Sequence, residues 1–392
     1  MIKALIFQHA PQNAVTHGAA NSHIRIIDMA PADMAVQAVR QAGIADVSAL
    51  SQTFGQFLCD AAMDAQHMPA EGDWMIFLWP MPLICPEAIE KAIRLHHHQG
   101  NACTAWPGLV LINASAFLQA WPQDDKPQGI EAVYDLLRQH GQAVVVHASA
   151  DLIGEAKQFE PIETPEQLAY AVSITKKRVN AQHMAQGVFL MDPEHTMIGA
   201  QVSIGAGTVI YPGCYLEGKT SVGAGCIVGP SSRIVDSVIA DGVKAEYAVV
   251  LQSEIGTGTT VGPYAYIRPH CQIGPHCKIG DFVEVKNACI GSHTSASHLT
   301  YIGDADVGSG VNFGCGTVTV NYDGIRKCRT IIQDGAFIGC NTNLIAPVTV
   351  KAGAYIAAGS TITVDVPEDA LAVARARQVN KAGWRKKRAA KA

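Results

Sequence analysis

Two cations, Arg268 and Lys286, stand 18 residues apart in a stretch otherwise poor in charge. Eighteen is three times six, and six is the period of the aliphatic residues around them. The two side chains are therefore expected to stack on one face, where they could hold a phosphate through charge-assisted hydrogen bonds or stand as solvated surface charges. His298 lies in the run Ser297-His298-Leu299-Thr300-Tyr301. An imidazole, with an unperturbed pKa of about 6.5, suits general base work near neutral pH. Residue type alone leaves open whether His298 does this or is a surface side chain. His270, His276 and His293 lack such a setting and read as exposed. His96-His97-His98 reads as a solvated helix terminus, because consecutive helical residues point different ways. No G-x-G-x-x-G and no G-x-x-x-x-G-K-[ST] follows a strand. The eleven cysteines, an odd number with no C-x-x-C pair, read as reduced thiols.

The element that must position the two cations is the repeat. Ile198, Ile204, Ile210, Leu216, Val222, Val228 and Ile234 are in register at six residues. The register resumes at Ile255, Val261, Ile267, Ile273, Ile279 and Val285, and again at Ile332, Ile338, Leu344, Val350, Ile356 and Ile362. An α-helix cannot produce this pattern, because six is not a multiple of 3.6. A parallel β-solenoid can: each hexapeptide supplies a short strand and a corner, and stacked coils bury one continuous aliphatic column. Of the 36 glycines, 25 fall in residues 197–363, which hold no tryptophan. A thin column with tight corners explains both facts. Residues 235–254 disturb the register but remain strand-like. Residues 320–330 cannot form a coil and are expected to project as a loop.

The first part is a different architecture. Strands are expected at Ile2–Phe7, Trp74–Leu78, Leu109–Ile112 and Ala143–His147. Helices are expected at Asp33–Ala42, Pro86–His97 and Ala132–His140. The alternation suggests an α/β domain with a mostly parallel sheet. Thr164-Pro165-Glu166-Gln167 reads as a capping box that starts a helix to about Ala185. The domains are thus read as 1–163, a linker at 164–196, the solenoid at 197–366 and a basic tail at 367–392. A net charge of −5 argues against a general grip on nucleic acid. With no long apolar run and no signal sequence, the expected setting is the cytoplasm, without a membrane.

Longer motifs make the reading specific. Pro263-Tyr264-Ala265-Tyr266-Ile267-Arg268-Pro269 is followed by Gly280-Asp281-Phe282-Val283-Glu284-Val285-Lys286. Then come Ser297-His298-Leu299-Thr300-Tyr301-Ile302-Gly303-Asp304-Ala305, Val311-Asn312-Phe313-Gly314-Cys315-Gly316-Thr317, Asn321-Tyr322-Asp323-Gly324 and Ala346-Pro347-Val348-Thr349-Val350. Residues 197–384 strongly resemble the acetyltransferase half of the bacterial bifunctional N-acetylglucosamine-1-phosphate uridyltransferase / glucosamine-1-phosphate acetyltransferase family. The resemblance implies a left-handed solenoid and acetyl transfer from acetyl-CoA to the amine of glucosamine 1-phosphate. It places the catalytic base on His298 and the sugar phosphate on Arg268, Lys286, Tyr301 and Asn312, with Lys327 a weaker candidate. It places acetyl-CoA around Cys315, Asn321, Tyr322, Cys340, Ala358 and Arg375. Cys315 stands at an alanine-like and Cys340 at a serine-like position, a departure that weakens donation to the cofactor. The tail cations Lys381, Arg385, Lys386, Lys387 and Arg388 could approach its phosphates or remain solvated. The family implies a homotrimer and a role in precursors of peptidoglycan and lipopolysaccharide.

The first half resembles the uridyltransferase half in eroded form. The family's L-A-A-G-x-G-T-R-M loop is replaced by Ile6-Phe7-Gln8-His9-Ala10-Pro11-Gln12-Asn13. Its magnesium-binding aspartate is replaced by Pro80, in Trp79-Pro80-Met81-Pro82-Leu83-Ile84. A second magnesium ligand is missing from Phe159-Glu160-Pro161-Ile162-Glu163-Thr164. Phosphoryl transfer depends on positioning and on metal charge, so uridyl transfer is expected to be lost, magnesium is not expected, and another protein could supply that step. The alternatives are a chain that keeps both activities, a non-enzymatic scaffold, and a zinc lyase on the same solenoid, which would need three converging histidines.

Overall fold

The computed structural model describes residues 2–7, 31–50, 71–79, 81–121, 129–162 and 164–385. The expected losses at Gln8–Asn13 and Pro80, and the tail beyond Arg385, lie outside them. The chain divides into two compact units, Met1–Arg178 and Val179–Ala392, with the division inside one helix.

The first unit is a six-stranded sheet between helices. Its strands are β1 (Ile2–Phe7), β2 (Val47–Leu50), β3 (Asp73–Phe77), β4 (Cys103–Trp106), β5 (Leu109–Asn113) and β6 (Val144–Val146), in the order β2-β1-β3-β5-β4-β6. Its helices are α1 (Pro31–Gln41), α2 (Pro86–Gln99), α3 (Ala114–Ala120), α4 (Ile130–Gln139) and α5 (Pro165–Ala185). Side chains alternate across a strand. Leu5 and Phe7 therefore join Trp74, Phe117 and Leu137 on one face, while Ala4 and Ile6 join Val39, Met75 and Ile89 on the other. The capping box forms as expected: the Thr164 backbone N–H donates to Gln167 at 3.0 Å, and the Gln167 N–H donates to the Thr164 hydroxyl at 3.2 Å.

Two expectations are refined. Three of the five strand pairings are parallel as expected, but β5 runs antiparallel to both β3 and β4, so the sheet is mixed. The cause is the unanticipated β4, which is joined to β5 by Pro107-Gly108. A two-residue connection can only fold the chain back on itself, and Gly108 supplies the left-handed φ of 72° that the turn requires. The histidine run ends its helix with His97 and His98 exposed as expected, but His96 departs from the expectation. His96 is buried, with Nδ1 at 2.9 Å from the Thr104 hydroxyl, and His97 Nε2 lies 2.7 Å from Asp73 Oδ2. Burial raises the Asp73 pKa, but the hydrogen bonds from His96 and His97 overcome it and hold the carboxyl at about 2.

The second unit is a parallel β-solenoid of about ten coils with three sheets of eleven, ten and nine strands. Strands of adjoining coils pair in parallel, as Ile210 does with Val228 and Ile338 with Ile356. The inward aliphatics form one buried cluster from Val179 to Val366. The disturbed stretch 235–254 has a simple origin. Ile239 pairs with Ile255 and Ala245 with Val261, so coils here run 16 residues instead of 18 while the stacking continues. The projecting loop is also present: chain between Val318–Val320 and Thr330–Ile332 leaves the stack, is exposed over 322–327, and closes with a Tyr322–Lys327 bridge.

The Asp73 shift gives a signed expectation. A depressed folded-state pKa stabilises the fold above the unfolded value near 3.8, and this is lost as pH falls through about 2. Asp73→Asn should therefore flatten acid unfolding of the first unit between about pH 4 and 2, followed by tryptophan fluorescence. An unchanged acid limb would contradict the pairing.

Candidate active site

Coil stacking converts sequence offsets into neighbours along the axis. Asp281 pairs with His298 on the next coil. Ala296 pairs with Phe313, and the same offset of 17 sets His298 against Cys315; the Gly316 N–H donates to the Leu299 carbonyl beside them at 3.0 Å. Phe313 pairs with Ile338 and Val318 with Asn343, so the offset of 25 holds on both sides of Cys315 and sets it against Cys340. Ile338 pairs with Ile356, which sets Cys340 against Ala358. Asp281, His298, Cys315, Cys340 and Ala358 thus form one axial column at a corner of the solenoid. Arg375 reaches its end, where the side chain packs against Gly359.

His298 is more than half exposed, and its Nδ1 lies 2.5 Å from Asp281 Oδ1. That hydrogen bond holds the Asp281 carboxyl below its ordinary range. A carboxylate can only accept, so Nδ1 carries the hydrogen of this bond. Spacing alone does not identify Asp281, because a regular coil of 18 residues would set Gly280 against His298; the observed offset here is 17.

The strand that follows this corner carries the cations. Tyr266 pairs with Glu284 and Ile267 with Val285, so Arg268 and Lys286 are neighbours on adjacent coils, as their spacing implied. Arg268 Nη1 donates to Glu284 Oε1 at 2.8 Å, which raises the guanidinium pKa. Lys286 Nζ donates to Asp304 Oδ2 at 3.2 Å. Asp304 is buried and left-handed at φ 48°, and it also accepts from the Asn287 amide at 2.6 Å and from the Asn321 amide. Burial raises its pKa, but the bonds from Asn287, Asn321 and Lys286 outweigh this and keep the carboxyl low. Burial likewise lowers the Lys286 pKa, and Asp304 more than restores it.

Tyr301 belongs to the same group. Its hydroxyl lies 3.5 Å from the Asn321 amide, and its ring covers Gly303, the residue stacked on Lys286. A methyl group at 303 would overlap the phenol. Asn321, expected beside the cofactor, sits in this cation cluster. Asn312 lies on the preceding sheet in register with Ser295 and Phe337, apart from the cluster. Tyr322 and Lys327 are exposed on the loop. Arg329 anchors that loop by a two-pronged pair with Asp306 and a bond to the Ala305 carbonyl at 3.0 Å. Among the described residues, no three His, Cys, Asp or Glu converge on a metal position. His270, His276 and His293 are exposed as expected, and the last two stack on one another.

A model described as bacterial transferase hexapeptide (six repeats) matches residues 201–236 and 252–287. A protein from Clostridium botulinum (strain Langeland) called bifunctional protein GlmU is 50% identical over 279 residues, covering 70% of this chain and 59% of its own length. One of the same name from Clostridium novyi is 55% identical over 227 residues, covering 58% of this chain and 50% of its own. The chain is a relative of the bifunctional GlmU proteins. It spans about half to three-fifths of the length of the GlmU proteins it matches. Among solved structures, the UDP-N-acetylglucosamine acyltransferase LpxA of Bacteroides fragilis is 20% identical, with a TM-score of 0.32, over 47% of this chain and 68% of that one.

Gly303→Ala should displace the Tyr301 ring while leaving the coil stack intact, which a crystal structure of the variant reads directly. An undisturbed ring would contradict the steric account.

Proposed function

We propose that the chain transfers the acetyl group of acetyl-CoA to the amine of glucosamine 1-phosphate, by analogy with the acetyltransferase half of its GlmU relatives. The observation that carries this reading is the column itself. The expected base, His298, shares one axial column with three residues expected at the cofactor, Cys315 on the next coil and Cys340 and Ala358 on the two after it. The expected phosphate holders Arg268 and Lys286 follow on the next strand.

The chemistry assigned to each group follows from its surroundings. Arg268 spends one of its five donors on Glu284 and keeps others for a phosphate oxygen. Lys286, fixed by Asp304, supplies a second positive charge. The amino group must lose a proton as its nitrogen attacks the thioester carbonyl. His298 Nε2 accepts that proton, and Asp281 stabilises the imidazolium that forms. The C–N bond forms, the C–S bond breaks, and the proton passes to the departing thiolate of coenzyme A. Direct transfer needs neither a cysteine nucleophile nor a metal.

Uridyl transfer belongs to the same reading as a lost activity, because the glycines and cations of the phosphate loop are replaced at Gln8–Asn13 and the magnesium ligand at Pro80. The setting we assign is the cytoplasm, as a homotrimer, with a separate uridyltransferase consuming the product. Among the described residues, no helix is long and apolar enough to cross a membrane.

Thiol release from acetyl-CoA in the presence of glucosamine 1-phosphate should be readily measured with the purified chain. His298→Ala should lower kcat by about 10²–10⁴ without altering the circular dichroism; unchanged turnover would remove His298 from the mechanism. Lys286→Ala should raise KM for the sugar phosphate far more than KM for acetyl-CoA, and an equal effect on both would contradict a phosphate contact. Formation of UDP-N-acetylglucosamine from UTP and magnesium would overturn the loss of uridyl transfer.

A further inference from the structure

The corner column contains a pair of residues that acetyl transfer does not use as thiols. Cys315 and Cys340 occupy the same position on adjacent coils. In-register pairs bracket them on both sides, and the Asn341 N–H donates to the Cys315 carbonyl at 2.8 Å. Adjacent parallel strands lie about 4.8 Å apart, so two side chains at one column position start from that separation.

These two cysteines differ from the other thiols of the solenoid core. Cys214, Cys226 and Cys277 are buried, donate to backbone carbonyls of the next coil at 3.6, 3.1 and 3.1 Å, and have their pKa pushed up by burial. Cys315 is half-buried and Cys340 exposed; both are free, and among the described residues neither sulfur makes a hydrogen bond. They are two solvent-reachable soft ligands, one coil rise apart, with no competing partner.

We infer that Cys315 and Cys340 form a two-thiolate clamp for a soft monovalent cation of the copper(I) class. Both thiols are free, and the coil rise suits a single bridging ion. Two metal–thiolate bonds of about 2.3 Å laid end to end span about 4.6 Å. The ligand count sets the selectivity. Zinc in a protein site takes four ligands, and no three metal-binding side chains converge among the described residues. Copper(I) prefers thiolates and is satisfied by two in a line. Binding is balanced as one Cu(I) and two thiols giving a bis-thiolate anion and two protons. This site stands independently of acetyl transfer, although a bound ion would lie one coil from His298.

The test is anaerobic titration of the full chain with Cu(I) against the competing chelator bicinchoninate. One Cu(I) per chain should be retained in preference to the chelator. Cys315→Ala and Cys340→Ser should each weaken retention at least about 100-fold, because the second thiolate acts intramolecularly on an ion already held by the first. Ala358 in the same column shows that the corner accepts a small side chain, and unchanged circular dichroism checks each variant's fold. Cys289→Ser, an exposed cysteine outside the column, should bind as the parent does. Loss of Cu(I) to the chelator by the parent chain would overturn the proposal, as would parent-like affinity in either column variant. So would Zn(II) held as tightly as Cu(I).

Discussion

Everything chemical in the solenoid depends on the axial register between coils. A buried aliphatic on one coil packs on the aliphatic of the next, and backbone hydrogen bonds fix the offset between them. Each inward side chain contributes roughly 1.5–3 kcal/mol by burial, and a slip of one residue would turn the aliphatics out of the column. The offset is therefore strongly held even where its value changes, from 18 to 16 in the disturbed coils and to 25 across the projecting loop. Corner and outward positions inherit this alignment. His298 stands between Asp281 and Cys315 because the core beneath them cannot shift.

The polar cluster shows what such a scaffold adds to side-chain chemistry. Asp304 is a buried carboxylate in a left-handed corner, a costly placement without partners. Two amides and an ammonium reach it, each from a neighbouring coil or the loop. The same carboxylate keeps Lys286 charged against its own partial burial. Arg268 and Glu284 repeat the arrangement one coil away. Gly303 leaves open the column position above Lys286, and the phenol of Tyr301 fills it. The two cations are thus held by carboxylates of the same scaffold, an arrangement that would lower the entropy lost if an anion bound there.

Much of this was legible in residue spacing. The hexapeptide period specifies the solenoid, the distance between Arg268 and Lys286 specifies their stacking, and the break at 320–330 specifies the loop. The capping box and most strands and helices of the first unit also followed from local pattern. Elements went unread where tertiary context decides. The short β4 carries no alternation and exists because Pro107-Gly108 folds β5 back upon it. The His96–His97 pairing depends on Asp73, which is remote in sequence and adjacent only once the sheet forms. Asp281 and Asp304 sit in quoted motifs, but their partners appear only when offsets of 17 are counted between coils. The motif around Asn321 points to the cofactor, and only the fold shows its amide against Asp304.

In the proposed reaction, one corner column and the strand after it bring the base, the cation cluster and the cofactor positions together. A crystal structure of the chain with glucosamine 1-phosphate and coenzyme A tests it most directly. The phosphate should lie against Arg268 and Lys286, the amino group within hydrogen-bond distance of His298 Nε2, and the coenzyme thiol along the corner from Cys315 to Ala358. A sugar phosphate bound elsewhere, or an amine turned away from His298, would contradict it.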